Sequence, residues 1–515
     1  MSQRPWTLAD LFRANLPCYG SRVAVEHRGG KLTYAELWAL AVRAAHALEA
    51  RGIRSGDRVA LLLPNDLEYV IADVAIALAG ATKVPLNAML SSREIGYMLQ
   101  HSAARVLIVH DVLAVRVPAD ARTRLLVVRV PGAAQNETDG IAWRAFLDHA
   151  PELPASRDID PRVPALIMYT GGTTGSPKGV VHTQGALATN LLVHVIAGEI
   201  QDGERMLLAT PLPHSAGFHL QACLLQGGTT VLHETFDPEA VIAAVREQAI
   251  SWTFMVPTMI YRLLDALRAR GETRLDGLRT LVYGAAPITR RRLEQALEVF
   301  GPVLVQLYGQ TEAPNYITRL SKRDHLDATL AASCGRPVLT AEVRIVGADD
   351  RLLPHGEVGE VTARAPYTLA GYHDDEAKTR AAYAGEWLRT GDLGYQIDTG
   401  HVFLVDRAND VIVSGGMNVY STEVENVIQS VAGVHQVMVV GVPDDDWGEA
   451  VTAFVVRSEE NTSEGDVLAA CRLQLGGYKV PKRVVFVDGL PLTAYGKPDK
   501  KALRRTLWAD RDRAI

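Results

Sequence analysis

The sequence predicts an α/β protein: a large N-terminal domain of parallel-rich sheets with helices plus a β subdomain, then a small mobile α+β C-terminal domain. Three observations predict it. Apolar strand-like runs alternate with helical segments through about the first 310 residues, the signature of βαβ units and parallel sheets. Near Ala341 the texture changes to apolar/polar alternation punctuated by Gly, Asp and Pro, which reads as antiparallel β structure. From about Asp410 a compact unit of roughly 100 residues follows, with its own strands and helices. The expected division is 1–408 and 409–515.

The elements follow in order. Arg58 to Leu63 reads as a buried strand and Asp66 to Leu78 as a helix. Its apolar part is too short to span a bilayer and carries Asp73, so a buried helix is expected and no membrane span. Arg105 to His110 and Arg124 to Val130 are further strands, and Ala165 to Thr170 ends in a Gly/Thr-rich loop. Strands at Arg205 to Thr210, Thr229 to His233, Trp252 to Val256, Leu278 to Tyr283 and Val303 to Leu307 are interleaved with helices that start at Pro238, Pro257 and Thr289. Ligands of such sheets sit beyond strand C-termini. The loops after Thr170, Thr210, Tyr283 and Leu307 are therefore the candidate site. In the C-terminal unit VIVSGG, STEVENVIQSV, QVMVVGV, AVTAFVV, a helix around Val467 and RVVFVDG make the α+β pattern.

The charge balance of 53 basic against 59 acidic residues, −6 net, argues against a broad nucleic-acid-binding surface. The four cysteines are scattered without a C-x-x-C pair, which fits a reducing compartment. MSQRPWTLADLF lacks the apolar run of a signal peptide, so a cytoplasmic location is expected.

The strongest motif is YTGGTTGSPKGV, Tyr169 to Val180. Glycines let backbone N–H groups approach phosphate oxygens, hydroxyls add donors, and Lys178 adds a point charge. It is not a Walker A loop, because Pro177 precedes the lysine and Gly179 follows it.

This run resembles the phosphate loop of the adenylate-forming superfamily, which includes acyl-CoA synthetases, adenylation domains of peptide synthetases and beetle luciferases. A glycine stands where that family usually has the serine of Ser-Gly-Thr-Thr-Gly, so one donor hydroxyl is lost. Further motifs follow in family order over nearly the whole chain. The resemblance implies nucleotide contacts from Thr170, Gly171, Gly172, Thr173, Thr174, Gly175 and Lys178. PLPHSAGF resembles the segment lining the acid site, with His214, Gly217 and Phe218 as its wall. YGAAPIT resembles the adenine-side loop through Gly284, Ala285 and Ala286; the same residues also suit a tight turn with Pro287 at a helix start, and both readings can hold. In YGQTEAP the resemblance puts Tyr308 on the adenine, Gly309 at the acid, Thr311 on the α-phosphate and Glu312 on Mg²⁺. RTGDLG supplies Asp392 for the ribose, and Arg407 contacts ribose or phosphate. Asn409 falls at the hinge, where the family usually has Asp or Lys. Ser414, Gly415 and Gly416 lie on the thiol-donor side. PLTAYGKPDKKAL resembles the loop with the catalytic lysine, which is Lys497; Lys500 and Lys501 read as solvated surface charges.

The resemblance implies a ligase. It would use ATP and Mg²⁺ to turn a small-molecule carboxylic acid into an acyl-adenylate, then transfer the acyl group to coenzyme A as the small domain turns. The basic tail (Lys479, Lys482, Arg483, Lys500, Lys501, Arg504, Arg505) is either a solvated face or a partial seat for the CoA phosphates. Loading of a carrier protein and a degenerate, non-catalytic nucleotide-binding protein are the alternatives. A monomer or homodimer is expected.

Overall fold

The computed structural model describes residues 5–132, 140–148, 158–170, 177–444, 446–458, 462–492 and 499–508, with the side chain of Asn409 also outside the described set. Gly171 to Gly175 and Lys497 therefore lie outside the described residues.

The described strands form four sheets. In the first, Leu304–Gln310, Thr280–Gly284, Trp252–Met255, Arg205–Leu208, Thr229–Leu232 and Val23–His27 run parallel in that order. Antiparallel strands close both ends of it. In the second, Pro164–Thr170, Thr82–Pro85, Arg58–Leu62, Val106–His110, Leu126–Val130 and Ile141–Ala142 are parallel, and Lys178–Thr183 and Gly371–Tyr372 add an antiparallel edge. Near-continuous apolar runs make these strands because helices cover both faces, leaving no solvated side to alternate toward. The third sheet is antiparallel, from Glu342–Val346 to Val402–Arg407. The fourth is built wholly from strands after Asp410, with helices Ser421–Gln429 and Glu464–Gln474 packed on its core.

The helix Leu67–Leu78 is buried from Tyr69 through Leu78. Asp73, 2% exposed, is tolerated because Lys83 Nζ lies 2.6 Å from one carboxylate oxygen and Gln221 Nε2 donates to the other at 2.9 Å. Asp66 caps this helix by accepting from the Tyr69 backbone N–H at 2.7 Å. Burial pushes its carboxyl from 3.8 up to about 8. Because the folded value is the higher one, stability is fully present below pH 3.8 and is lost as the pH rises toward 8. Asp66→Asn keeps a capping oxygen without the charge. It should raise stability at pH 7 by on the order of 1–3 kcal/mol and give no gain at pH 3.5. Thermal unfolding at the two pH values checks this; equal shifts at both would refute the charge explanation.

The Gly/Thr loop joins two antiparallel strands, since Thr170 pairs with Lys178, which opens the second of them. One expectation about local structure changes. The helix after the Gly284 turn starts at Arg290, and Pro287 stands exposed in the loop before it.

Candidate nucleotide and acid site

Two hairpin ends meet at the edge where the first two sheets adjoin. One is the mouth of the hairpin with Thr170 and Lys178. The other is the tight connection between Leu304–Gln310 and Ala313–Leu320, in which Gln310 pairs with Ala313 and leaves Thr311 and Glu312 at the tip. His182, on the first hairpin, binds the second: its Nε2 lies 2.8 Å from the Thr311 carbonyl. A carbonyl only accepts, so Nε2 carries the proton, and burial holds the ring neutral with its pKa down to about 4.

Glu312 is fixed from two more sides. Its carbonyl accepts from the Leu369 N–H at 2.7 Å, and its carboxylate Oε1 accepts from the Tyr372 hydroxyl at 2.8 Å. Tyr372 reaches this place because Gly371–Tyr372 adds to the edge of the Lys178 strand. Its ring centroid is 5.4 Å from Lys178 Nζ, so it lies between the lysine and the carboxylate. Burial and the Glu312 charge raise its phenol pKa well above the ordinary range, so the hydroxyl is a standing donor. Tyr372 and His182 were invisible to motif reading. A Gly-Tyr pair and one histidine in an apolar strand carry no signal until the sheets bring them to Glu312.

Tyr308 is buried, and its hydroxyl donates to Asp392 Oδ2 at 2.7 Å. Arg407 Nε lies 3.3 Å from Asp392 Oδ1, because Asp392 and Arg407 are paired across adjacent strands. Burial raises the Asp392 pKa, with Arg407 and Tyr308 opposing it. Arg407 keeps a 69% exposed side chain, so it is available to a ligand.

Ala285 holds φ at 68° and Asn315 at 64°, left-handed values that non-glycine residues seldom adopt and that cluster at functional sites. His214 sits in a kinked turn, half-buried, and Phe218 stacks on His194 at 5.5 Å. Gly217 allows close approach: a Cβ there would stand 2.5 Å from the Leu212 carbonyl. Gly284 is buried against the Leu307 carbonyl, while Ala286 is half-buried. The structure thus brings Thr170, Lys178, Glu312, Tyr308, Asp392 and Arg407 to one region.

In the C-terminal unit Ser414 is 1% exposed with its hydroxyl sealed, whereas Gly415 and Gly416 are exposed. Lys500 departs from the expectation of a solvated charge. It is 14% exposed, and its Nζ contacts Glu425 Oε1 at 2.8 Å and Ser421 Oγ at 2.6 Å. That hydroxyl and the Ser421 N–H both donate to Asp406, so one chain of contacts spans the Asn409 segment. Arg504 pairs with Asp410 at 2.6 Å and Lys479 with Glu423 at 2.7 Å. The basic tail is therefore in large part internally paired.

The parallel-rich sheets, the antiparallel subdomain and the separate C-terminal sheet define an α/β enzyme of the adenylate-forming type. The AMP-binding enzyme family matches residues 12–373 and the AMP-binding enzyme C-terminal domain matches residues 423–497. The chain belongs to this family, in its acid–CoA ligase branch. It is similar to a feruloyl-CoA synthase from an Amycolatopsis species, 39% identical over 94% of this chain and 95% of the relative. It is also similar to the medium/long-chain-fatty-acid–CoA ligase FadD8 of Mycobacterium tuberculosis, 37% identical over 91% of this chain and 84% of the relative. Among solved structures, the amide bond synthetase McbA from Marinactinospora thermotolerans matches with a TM-score of 0.87 at 33% identity, covering 97% of this chain and 99% of that one. No helix among the described residues is long and apolar enough to cross a membrane.

Proposed function

We propose that the chain is an ATP-dependent acid–CoA ligase. A carboxylate is a poor acyl donor because its leaving group would be oxide. Its oxygen attacks the α-phosphorus of ATP, the α–β P–O bond breaks and pyrophosphate leaves. The CoA sulfur then attacks the acyl carbon, AMP departs and the thiol proton is released. The observation that carries this reading is the approach of Lys178 and Glu312 to Tyr372 at the ends of two facing hairpins, with the Tyr308–Asp392–Arg407 group, drawn from the first and third sheets, near enough to interact with the Glu312 charge.

Each residue has work suited to its chemistry. Lys178 and the loop of Gly171 to Gly175 neutralise phosphate charge, and Thr311 donates to the α-phosphate. Asp392 accepts from ribose hydroxyls, with Tyr308 beside the base and Ala285 turned at its loop. His214, Gly217, Phe218 and Gly309 wall the acid. Lys497 bridges the carboxylate and the phosphate for in-line attack. The donor set fits Mg²⁺, since Glu312 offers one hard carboxylate already held by Tyr372, and that ion prefers one or two carboxylates with phosphate oxygens and water. Bound there, it would supply charge neutralisation. The 409–515 unit turns about Asn409 between the two half-reactions, with Gly415 and Gly416 toward the thiol.

Tyr372→Phe removes one hydrogen bond to the Glu312 carboxylate. The expected result is about a 10-fold rise in the Mg²⁺ concentration giving half-maximal pyrophosphate exchange, with the acid KM little changed. An unchanged Mg²⁺ requirement would remove Tyr372 from this role.

The acceptor is tested by AMP release over a panel of acids, with CoA, a pantetheinyl carrier protein or a simple amine as acceptor. Acyl-CoA formation in step with AMP supports the proposal. Transfer only to the carrier or the amine overturns the CoA assignment, and ATP binding without AMP would show a non-catalytic protein.

A further inference from the structure

Behind the proposed acid wall lies a buried polar group. His194, His219 and Tyr316 are fully buried, with His194 packed against His219 at 5.1 Å and against Tyr316 at 4.9 Å. Among the described residues, neither ring nitrogen of His219 nor the Tyr316 hydroxyl has a hydrogen-bond partner. Asn315 stands where this group meets the wall. It is 6% exposed, its Nδ2 lies 2.9 Å from His194 Nε2 and 3.3 Å from the Ser215 carbonyl, and its backbone approaches Gly309 so closely that a Cβ there would come within 2.6 Å. Ser215 follows His214, and Phe218 covers the other side of His194. Asn315 therefore touches or adjoins each segment assigned to the acid.

The orientation of its amide follows from the hydrogen bonds. His194 Nδ1 lies 2.8 Å from the Asn190 carbonyl, which only accepts, so Nδ1 carries the proton and Nε2 is left an acceptor in this buried, neutral ring. Asn315 must present its NH₂ to two acceptors at once, His194 Nε2 and the Ser215 carbonyl. Its Oδ1 faces the other way. No described residue donates to Oδ1, and unlike the Asn190 side-chain oxygen it is not sealed from open space.

We propose that Asn315 is a specificity-determining residue whose Oδ1 accepts a hydrogen bond from the acid itself, at a donor distant from the carboxylate. The substrate class is an aryl acid carrying a phenolic hydroxyl or a ring N–H. This rests on the acid-activating reading above and names its substrate. A site built around a fixed acceptor discriminates strongly against an analogue that lacks the donor, because the acceptor then loses water and gains nothing. A purely conformational role for Asn315 makes a different prediction. Asparagine tolerates φ of 64°, but glycine tolerates it equally, so glycine would replace it without consequence for selectivity.

The experiment uses the full chain and measures acid-dependent pyrophosphate exchange with matched pairs: 4-hydroxycinnamate against cinnamate, and indole-3-acetate against benzothiophene-3-acetate. The expected kcat/KM ratio favours the donor-bearing member of at least one pair by about 10-fold or more. In Asn315→Gly, which keeps the backbone conformation, that ratio falls to about 1. Exchange with no preference in the wild type, or a preference that survives in Asn315→Gly, overturns the proposal and leaves the ligase reading intact. Absence of exchange with any acid overturns the ligase reading, and this proposal with it.

Discussion

Lys497→Ala should lower acid-dependent pyrophosphate exchange by at least about 10²-fold while transfer from supplied acyl-adenylate to CoA stays within about 3-fold of wild type. The first half-reaction draws a carboxylate toward a polyphosphate, two anions that repel. A single ammonium bridging both offsets that repulsion and aligns the attack, and loss of one such preorganised donor typically costs 10²–10³ in rate. The second half-reaction has no incoming carboxylate, so the same lysine has nothing to bridge. The contrast between the half-reactions is the informative readout, because a misfolded small domain would damage both. Near-normal exchange in Lys497→Ala would end the assignment of that lysine.

Glu312→Gln should reduce pyrophosphate exchange by about 10³-fold at low Mg²⁺, with partial recovery as Mg²⁺ rises. The substitution preserves shape and leaves an oxygen for the Tyr372 hydroxyl, so the tip of the hairpin keeps its contacts to His182 and Leu369. What it removes is the formal charge that a hard divalent cation requires. The measurement is exchange rate against Mg²⁺ concentration, alongside direct ATP binding. A Mg²⁺ dependence identical to wild type would place the cation elsewhere.

Both residues are legible in the sequence through the same family resemblance. The roles of Glu312 and its neighbours rest on the resemblance of YGQTEAP, supported by the place of Glu312 directly after a buried strand and a Gln-Thr pair. Lys497 rests on the resemblance, and its loop lies outside the described residues. Tyr372 was not legible. It is 60 residues from Glu312 in sequence, and only an edge strand from a different part of the chain delivers its hydroxyl. Lys500 was read as solvated, yet it is held by Glu425, 75 positions earlier, and by Ser421. A run of basic residues near a terminus looks like surface whenever its partners lie far away.

By itself the sequence determined the succession of strands and helices, the change of texture near Ala341 and Asp410, and the family to which the chain belongs. Those are properties of short windows: burial on both faces makes a continuous apolar strand, and glycines mark where backbone approaches a ligand or another strand. Only the tertiary structure decided which carboxylate meets which phenol, that Asp392 is shared by Tyr308 and Arg407, and which way the Asn315 amide points. Those depend on sheet order and on the proton inventory of neighbours, and neither is a property of any window. The orientation of Asn315 needs the Asn190 carbonyl, the His194 tautomer and the Ser215 carbonyl at once, three groups that only folding brings to one side chain.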